Sequence, residues 1–311
     1  MSLLQLQELT VDFATAEGTL RAVDRVDLDH PSGDTLGLIG ETGCGKSVIA
    51  LAILRLLPEN ASVGGKILFK GRNLLELGES ALRAIRGEEI GIILQNPSLA
   101  LDPIERIGRQ IGEPLHIHRG IKMKNTRRAV RTWLERLGFS QIERELDSYP
   151  FEMSGGMNQR VVTAASLILR PGLIVADEPT TGLDPELRSL VEEELCSAKN
   201  YSGGSLLLIS HDLDLTESIA DRIAVMYAGQ IVEESSSEAF FANPGHPYSR
   251  ALLKSRPQHG FHPIPGPPID MTNPPEGCKF APRCPLADSR CVSIDPAVRE
   301  KEGRKVKCLK Y

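Results

Sequence analysis

None of the 311 residues belongs to an apolar run of the roughly 18–20 positions that a bilayer-spanning helix needs. The first 13 residues lack both a basic segment and a long apolar core, so no secretory leader is read there. Positive charge is not in excess either. Thirty-six Lys and Arg against 41 Asp and Glu leave a net charge of −5, which removes any global electrostatic case for nucleic-acid binding. Internal repeats are absent, and low complexity is confined to one proline-rich stretch. These absences place the chain in the cytoplasm by expectation, with any membrane association made through partners. Cysteine is sparse over most of the length: Cys44 and Cys196 stand alone, whereas Cys278, Cys284, Cys291 and Cys308 fall in the last 34 residues. In a reducing compartment that cluster reads as a metal or iron–sulfur site before it reads as disulfides.

Up to about residue 250 short apolar runs alternate with helical patterns, the arrangement of an α/β domain with a mainly parallel sheet. Residues 35–39, 90–94, 173–176 and 206–209 are the buried-strand candidates. Residues 223–227 and 230–232, joined at Ala228-Gly229, read as a strand, a tight turn and a returning strand. A stretch of helical character at about 96–153, including 127–137, interrupts the sheet pattern. Seven prolines between 257 and 275, from Pro257 to Pro275, exclude regular helix or central strand and mark a linker. The expected organisation is a nucleotide-binding domain at 1–250, a linker at 251–276 and a cysteine-rich domain at 277–311.

Gly40-Glu41-Thr42-Gly43-Cys44-Gly45-Lys46-Ser47 is a complete G-x-x-x-x-G-K-[ST] motif between an apolar strand and an expected helix at 48–57. Its glycines let backbone N–H groups converge on phosphate oxygens at a helix N-terminus. Lys46 would reach the terminal phosphates and Ser47 would offer a hydroxyl to Mg²⁺. Cys44 occupies a free position of the motif and is assigned no redox role. The strand at 173–176 ends in Asp177 and Glu178. Two acids after a strand are ordinarily a solvated loop. Together with the phosphate loop they suit an Mg²⁺ ligand and a group that orients the attacking water. Kinases, GTPases, recombination ATPases and transporters all remain open at this point.

Met153-Ser154-Gly155-Gly156-Met157-Asn158-Gln159-Arg160 closely resembles the signature motif of ABC ATPases, with Met157 where the commonest form has Gln. That resemblance covers residues 1 to about 250. It implies a P-loop NTPase fold: a RecA-like parallel sheet core with an antiparallel β subdomain and a helical insertion. It also implies site residues. Gln95 matches the Q-loop and joins Ser47 and Asp177 as an Mg²⁺ ligand. Asp184, in Thr181-Gly182-Leu183-Asp184, matches the D-loop. His211 matches the switch histidine, catalytic beside Glu178, and Phe13 the aromatic that stacks on adenine. Ser154, Gly155, Gly156 and Met157, placed before a helix read at 159–169, would meet the γ-phosphate of ATP bound to an opposing ATPase subunit.

Tyr149-Pro150-Phe151-Glu152, His246-Pro247-Tyr248-Ser249-Arg250-Ala251-Leu252-Leu253 and the cysteine-rich tail resemble the oligopeptide, dipeptide and nickel importer branch. The function this implies is ATP hydrolysis powering import of peptides or of nickel and metal chelates. The implied partners are a second ATPase subunit, a paralogue rather than another copy, with two permeases and an extracytoplasmic binding protein. The implied location is the cytoplasmic face of the membrane. A soluble ABC ATPase of DNA repair or translation is the alternative, weakened by the lack of a long coiled-coil insertion or a second cassette. A decayed nucleotide site would have lost Lys46 or Glu178, and both are present. Five, six and sixteen residues separate the four tail cysteines. The spacing suits a [4Fe–4S] cluster, with Zn²⁺ as alternative. His116 and His118 read as surface or packing residues.

Overall fold

Short runs of β-branched and aliphatic residues bounded by glycine or carboxylates fold as buried strands, and the longer alternating segments fold as exposed-face sheets. The computed structural model describes residues 2–198, 204–256, 260 and 262–311; Pro257 of the proline-rich stretch lies outside the described residues. Among the described residues twelve strands follow in order. They are β1 (Ser2–Thr15), β2 (Gly18–Pro31), β3 (Thr35–Ile39), β4 (Ala61–Phe69), β5 (Arg72–Asn73) and β6 (Ile90–Ile93). β7 (Leu173–Asp177), β8 (Ser205–Ser210), β9 (Arg222–Tyr227), β10 (Gln230–Ser236), β11 (Arg299–Lys301) and β12 (Arg304–Val306) complete the set.

The chain divides into two compact units, Met1–Glu76 with Ile209–Tyr311, and Leu77–Leu208. In the first, an antiparallel sheet runs in the order β2-β1-β4-β5. A second run of strands has the order β11-β12-β10-β9-β3. There β3 and β9 are parallel, and β10 is antiparallel to both β9 and β12. The expected hairpin at residues 223–232 is therefore present as β9 and β10, turning at Ala228-Gly229. The proline-rich stretch, where described, contains no helix or strand.

The C-terminal residues build their core jointly with the rest of this unit. Phe280 is 1% exposed and lies against Tyr227, Tyr248 and His246, with ring centroids 5.2, 5.4 and 5.9 Å away. Ile264, Ile269 and Met271 pack on the same cluster. Burying one such phenylalanine contributes about 1.5–3 kcal/mol.

The second unit holds β6, β7 and β8 as far as Leu208, in the order β8-β7-β6 with β6 and β7 parallel, and a run of helices at Ile107–Arg119, Met123–Arg136 and Ile142–Leu146. The helix Gly155–Leu167 follows them, earlier than the 159–169 read from sequence. Among the described residues no helix is long and apolar enough to cross a membrane.

Candidate functional site

In the first unit, β3 is buried along its whole length and delivers Gly40 to the start of the phosphate loop. Gly40 has φ +153°, and a Cβ there would stand 2.2 Å from the Met226 carbonyl oxygen. Gly45 has φ +108°, with a Cβ 2.4 Å from the Ala22 carbonyl oxygen. Alanine fits at neither position, so the spacing of these two glycines follows from backbone approach. Gly45 is the N-cap of the helix Lys46–Ile53, which starts two residues before the sequence expectation and stops four earlier. Lys46 is 7% exposed, and its Nζ donates to the carbonyl oxygens of Gly40 (2.7 Å) and Glu41 (3.0 Å). The ammonium thus closes the loop on itself, leaving the helix N-terminus and Ser47 beside it. Thr42 and Gly43 are exposed, and Cys44 is buried. Burial pushes the Cys44 thiol up from its ordinary range, which argues against a reactive thiolate.

Two contacts on Glu41 were not legible in the sequence. Its carboxylate takes both terminal nitrogens of Arg283, at 2.7 and 2.9 Å, and its N–H donates to the Tyr248 hydroxyl at 2.9 Å. Tyr248 lies in the segment that resembles the importer branch, but nothing in the residue string ties it or Arg283 to the loop. Elsewhere in this unit Phe13 is half-buried in β1, opposite Leu20 of β2 and Ala61 of β4. His211 is exposed just beyond β8. The next residue, Asp212, caps the helix Leu213–Ile219 through the N–H groups of Asp214 and Leu215.

In the second unit, β7 ends in Asp177 and Glu178, which are 4% and 7% exposed. Glu178 has φ +49°, an uncommon conformation for a non-glycine residue and a feature of functional turns. Its carboxylate accepts from the Thr181 hydroxyl at 3.5 Å. Gln95 is exposed two residues past β6. Ser154 caps the helix Gly155–Leu167, accepting the Met157 N–H at 3.2 Å. A Cβ built on Gly155 meets nothing within 4 Å, and one on Gly156 meets the Leu183 side chain at 3.2 Å. Among the described residues nothing therefore demands glycine at 155. Asp184 is exposed, and its carboxylate caps the helix Pro185–Ala198 by accepting the Leu187 N–H at 3.1 Å.

The four tail cysteines form no disulfide among the described residues, and Cys278 comes within electrostatic reach of the other three. Burial pushes the Cys278 thiol up, and Cys308, Cys284 and Cys291 push the same way. The Cys278 N–H bonds the Cys291 carbonyl at 2.9 Å, and the Cys308 sulfur accepts the Lys310 N–H at 3.4 Å. Among the described residues, no three or more His, Cys, Asp or Glu side chains are arranged to hold a metal ion. The thiols are neighbours without forming a ligand cage. His116 and His118 both lie on the helix Ile107–Arg119, two residues apart and so on different faces. His116 bonds the Ile121 carbonyl at 2.9 Å, closing the helix end.

A buried strand, a glycine-constrained phosphate loop and a lysine at a helix start define a P-loop nucleotide-binding protein. Residues 23–181 match the ABC transporter family, and residues 232–291 match the C-terminal region of oligopeptide and dipeptide transporters. A probable peptide ABC transporter ATP-binding protein of Sinorhizobium fredii is 41% identical over 306 residues, 96% of this chain and 91% of that one. The dipeptide transport ATP-binding protein DppD of Bacillus subtilis is 40% identical over 300 residues, 94% of this chain and 90% of that one. A dimeric ATP-binding cassette in a post-hydrolysis state with ADP and phosphate shares the fold. It has a TM-score of 0.68 at 23% identity, and the match covers 75% of this chain and 98% of that one. The chain belongs to the ABC transporter family and is its ATP-hydrolysing subunit, which works with ATP and Mg²⁺.

Proposed function

We propose that the chain powers import of peptides, dipeptides among them, through a membrane permease pair. The observation that carries this reading is the extent of the likeness. It runs at 40–41% identity through the phosphate loop and on into the tail, where relatives that carry peptide-transport names also match. A nickel or metal-chelate cargo is a finer reading with no separate support. The soluble DNA-repair or translation role is not favoured.

The roles of individual residues follow from their chemistry. Lys46 exchanges its carbonyl acceptors for phosphate oxygens, and the N–H groups at the start of Lys46–Ile53 donate to phosphate oxygens. Phe13 offers a ring face to adenine. Ser47, Gln95 and Asp177 carry hard oxygen donors of the kind Mg²⁺ takes, and the ion supplies charge neutralisation of the phosphates. Glu178 orients and deprotonates the attacking water, with its turn conformation and the Thr181 hydroxyl holding the carboxylate. His211 contacts the γ-phosphate. Ser154, Gly155, Gly156 and Met157 serve ATP held by an opposing ATPase subunit, with Asp184 at the same subunit boundary. The open space around Gly155 supports this, because the missing side chain answers to something outside the chain.

The domain reading is a nucleotide-binding domain at 1–250, with helices at 96–153 as its helical subdomain. The linker at 251–276 and the cysteine-rich segment at 277–311 complete it. For that segment we infer a [4Fe–4S] cluster on Cys278, Cys284, Cys291 and Cys308, with Zn²⁺ as alternative. Four thiols of suitable softness support it; their present arrangement does not, since the side chains do not yet form a cage. The partners are a paralogous ATPase subunit, two permeases and an extracytoplasmic binding protein, at the cytoplasmic face of the membrane. Affinity capture of the tagged chain from detergent-solubilised membranes tests the assignment. Recovery of permeases whose ATPase activity rises on adding peptide-loaded binding protein is the expected result. A complex stimulated by nickel and not by peptide would overturn the peptide reading.

A further inference from the structure

Glu41 is the second residue of the phosphate loop, and each of its polar groups is engaged. Its N–H donates to the Tyr248 hydroxyl (2.9 Å), its carbonyl oxygen accepts Lys46 Nζ (3.0 Å), and its carboxylate is held by both terminal nitrogens of Arg283. Arg283 comes from the tail, 242 residues further along the chain. Its side chain is only 4% exposed, against 26% for that of Glu41. The guanidinium is itself fixed: Nε donates to the Pro265 carbonyl at 2.9 Å, and the group lies over the Tyr227 ring at 5.9 Å. Two-point contact between planar groups sets orientation as well as charge. The hydrogen bonds that Arg283 donates to the Glu41 carboxylate push its guanidinium above the ordinary arginine range.

This geometry has a consequence for phosphate binding. An unpaired carboxylate in the loop would repel an incoming triphosphate, and the loop would lose the tie that fixes the carbonyl facing Lys46. We propose that Arg283 is a positioning residue for the nucleotide site: it neutralises Glu41 and fixes the loop that presents Lys46. It touches neither substrate nor reacting atoms. The tail segment around Phe280 and Arg283 thereby becomes a working part of the ATP site. This inference rests on ATP binding by the phosphate loop, and on neither the transported cargo nor any metal in the tail.

The test measures MgATP affinity by equilibrium binding on the full-length chain, and kcat and KM on the assembled transporter. Arg283→Gln should weaken ATP binding about 10-fold, the lower end for a lost charged hydrogen-bonded pair, while kcat at saturating ATP stays within about twofold. Arg283→Lys keeps the charge without the fork and should fall between wild type and Arg283→Gln. Adding Glu41→Gln to Arg283→Gln removes the repelling charge and should recover most of the lost affinity. Lys307→Met breaks a different tail ion pair, to Asp295 at 2.8 Å, and should leave ATP affinity unchanged. Wild-type affinity in Arg283→Gln or Arg283→Lys would overturn the proposal. So would an equal loss in Lys307→Met, which would mark general loosening of the tail, or failure of Glu41→Gln to restore binding. Should Arg283→Gln not fold, Arg283→Lys against Lys307→Met decides the question. Loss of ATP binding in Lys46→Ala with wild-type affinity in Arg283→Gln would leave the ATPase assignment standing and remove only this inference.

Discussion

Acidification from pH 7 to pH 5 should weaken the first unit by about 2 kcal/mol through His246 alone. His246 is 1% exposed and caps the helix Pro247–Lys254: its Nδ1 accepts the Tyr248 N–H at 3.0 Å. Its own N–H and that of Gly245 donate to the buried Glu233 carboxylate, each at 2.7 Å. Burial, with Arg250 acting in the same direction, drives the imidazole pKa from 6.5 down to about 3; a bond to the Lys307 backbone opposes the shift only partly. A protonated ring would also lose the acceptor that caps the helix. Between pH 6.5 and pH 3 the unfolded chain therefore holds a proton that the folded chain refuses, so stability rises with pH across that window. It is complete above 6.5 and is lost as pH falls toward 3, at about 1.4 kcal/mol per unit. At pH 5 the loss spans 1.5 units, and for a chain of 311 residues ~2 kcal/mol corresponds to a fall of about 3 °C in Tm. The assay compares Tm at pH 7 and pH 5 for wild type and for His246→Asn, which keeps a capping acceptor but does not titrate. The variant should show a pH-dependent drop smaller than wild type by that amount. Equal drops in the two proteins would refute the reasoning.

Glu178→Gln should retain ATP binding and lose ~10²–10⁴ in turnover, the usual cost of removing general-base help, whereas Lys46→Ala should weaken binding itself. Steady-state hydrolysis and nucleotide affinity of both variants separate the two roles. Gly155→Asp should fold and bind ATP normally, because nothing lies within 4 Å of the new Cβ, yet block hydrolysis in the assembled dimer by setting a carboxylate against phosphate. Loss of ATP binding by the isolated variant would contradict the trans assignment. Anaerobically purified protein should be brown with broad absorption near ~400 nm if the tail thiols carry an iron–sulfur cluster. One equivalent of zinc in colourless protein would replace that reading.

The phosphate loop and the central strands were legible because apolar runs of four or five residues, bounded by glycines and acids, are too short for buried helices. The strands expected at 90–94 and 173–176 lie within one residue of β6 and β7 at each end. Helix starts were less legible. The helix after the loop begins at Lys46 because Gly45 caps it in a left-handed conformation, which residue type alone does not announce. The long strands β1 and β2 show in the sequence only through the implied antiparallel subdomain. Glu8 and Arg25 have φ of 47° and 48°, and the register shifts between Leu6 and Leu9. The alternation that marks a strand is therefore broken at mid-length. Least legible was the Arg283–Glu41 pair, since an ion pair across 242 positions leaves no pattern in a single sequence. The poor apolar content of the tail was plain, but that Phe280 finds its core between Tyr227 and Tyr248 required the fold.

The central claim is that ATP hydrolysis by this chain drives a transporter. Its most direct test is uptake of labelled dipeptide into proteoliposomes holding the permeases, the ATPase pair and internal MgATP, with binding protein outside. Wild-type chain should give ATP-dependent accumulation, and Glu178→Gln should abolish it while the complex still binds ATP. Undiminished uptake with Glu178→Gln, or with the chain omitted, would contradict the account.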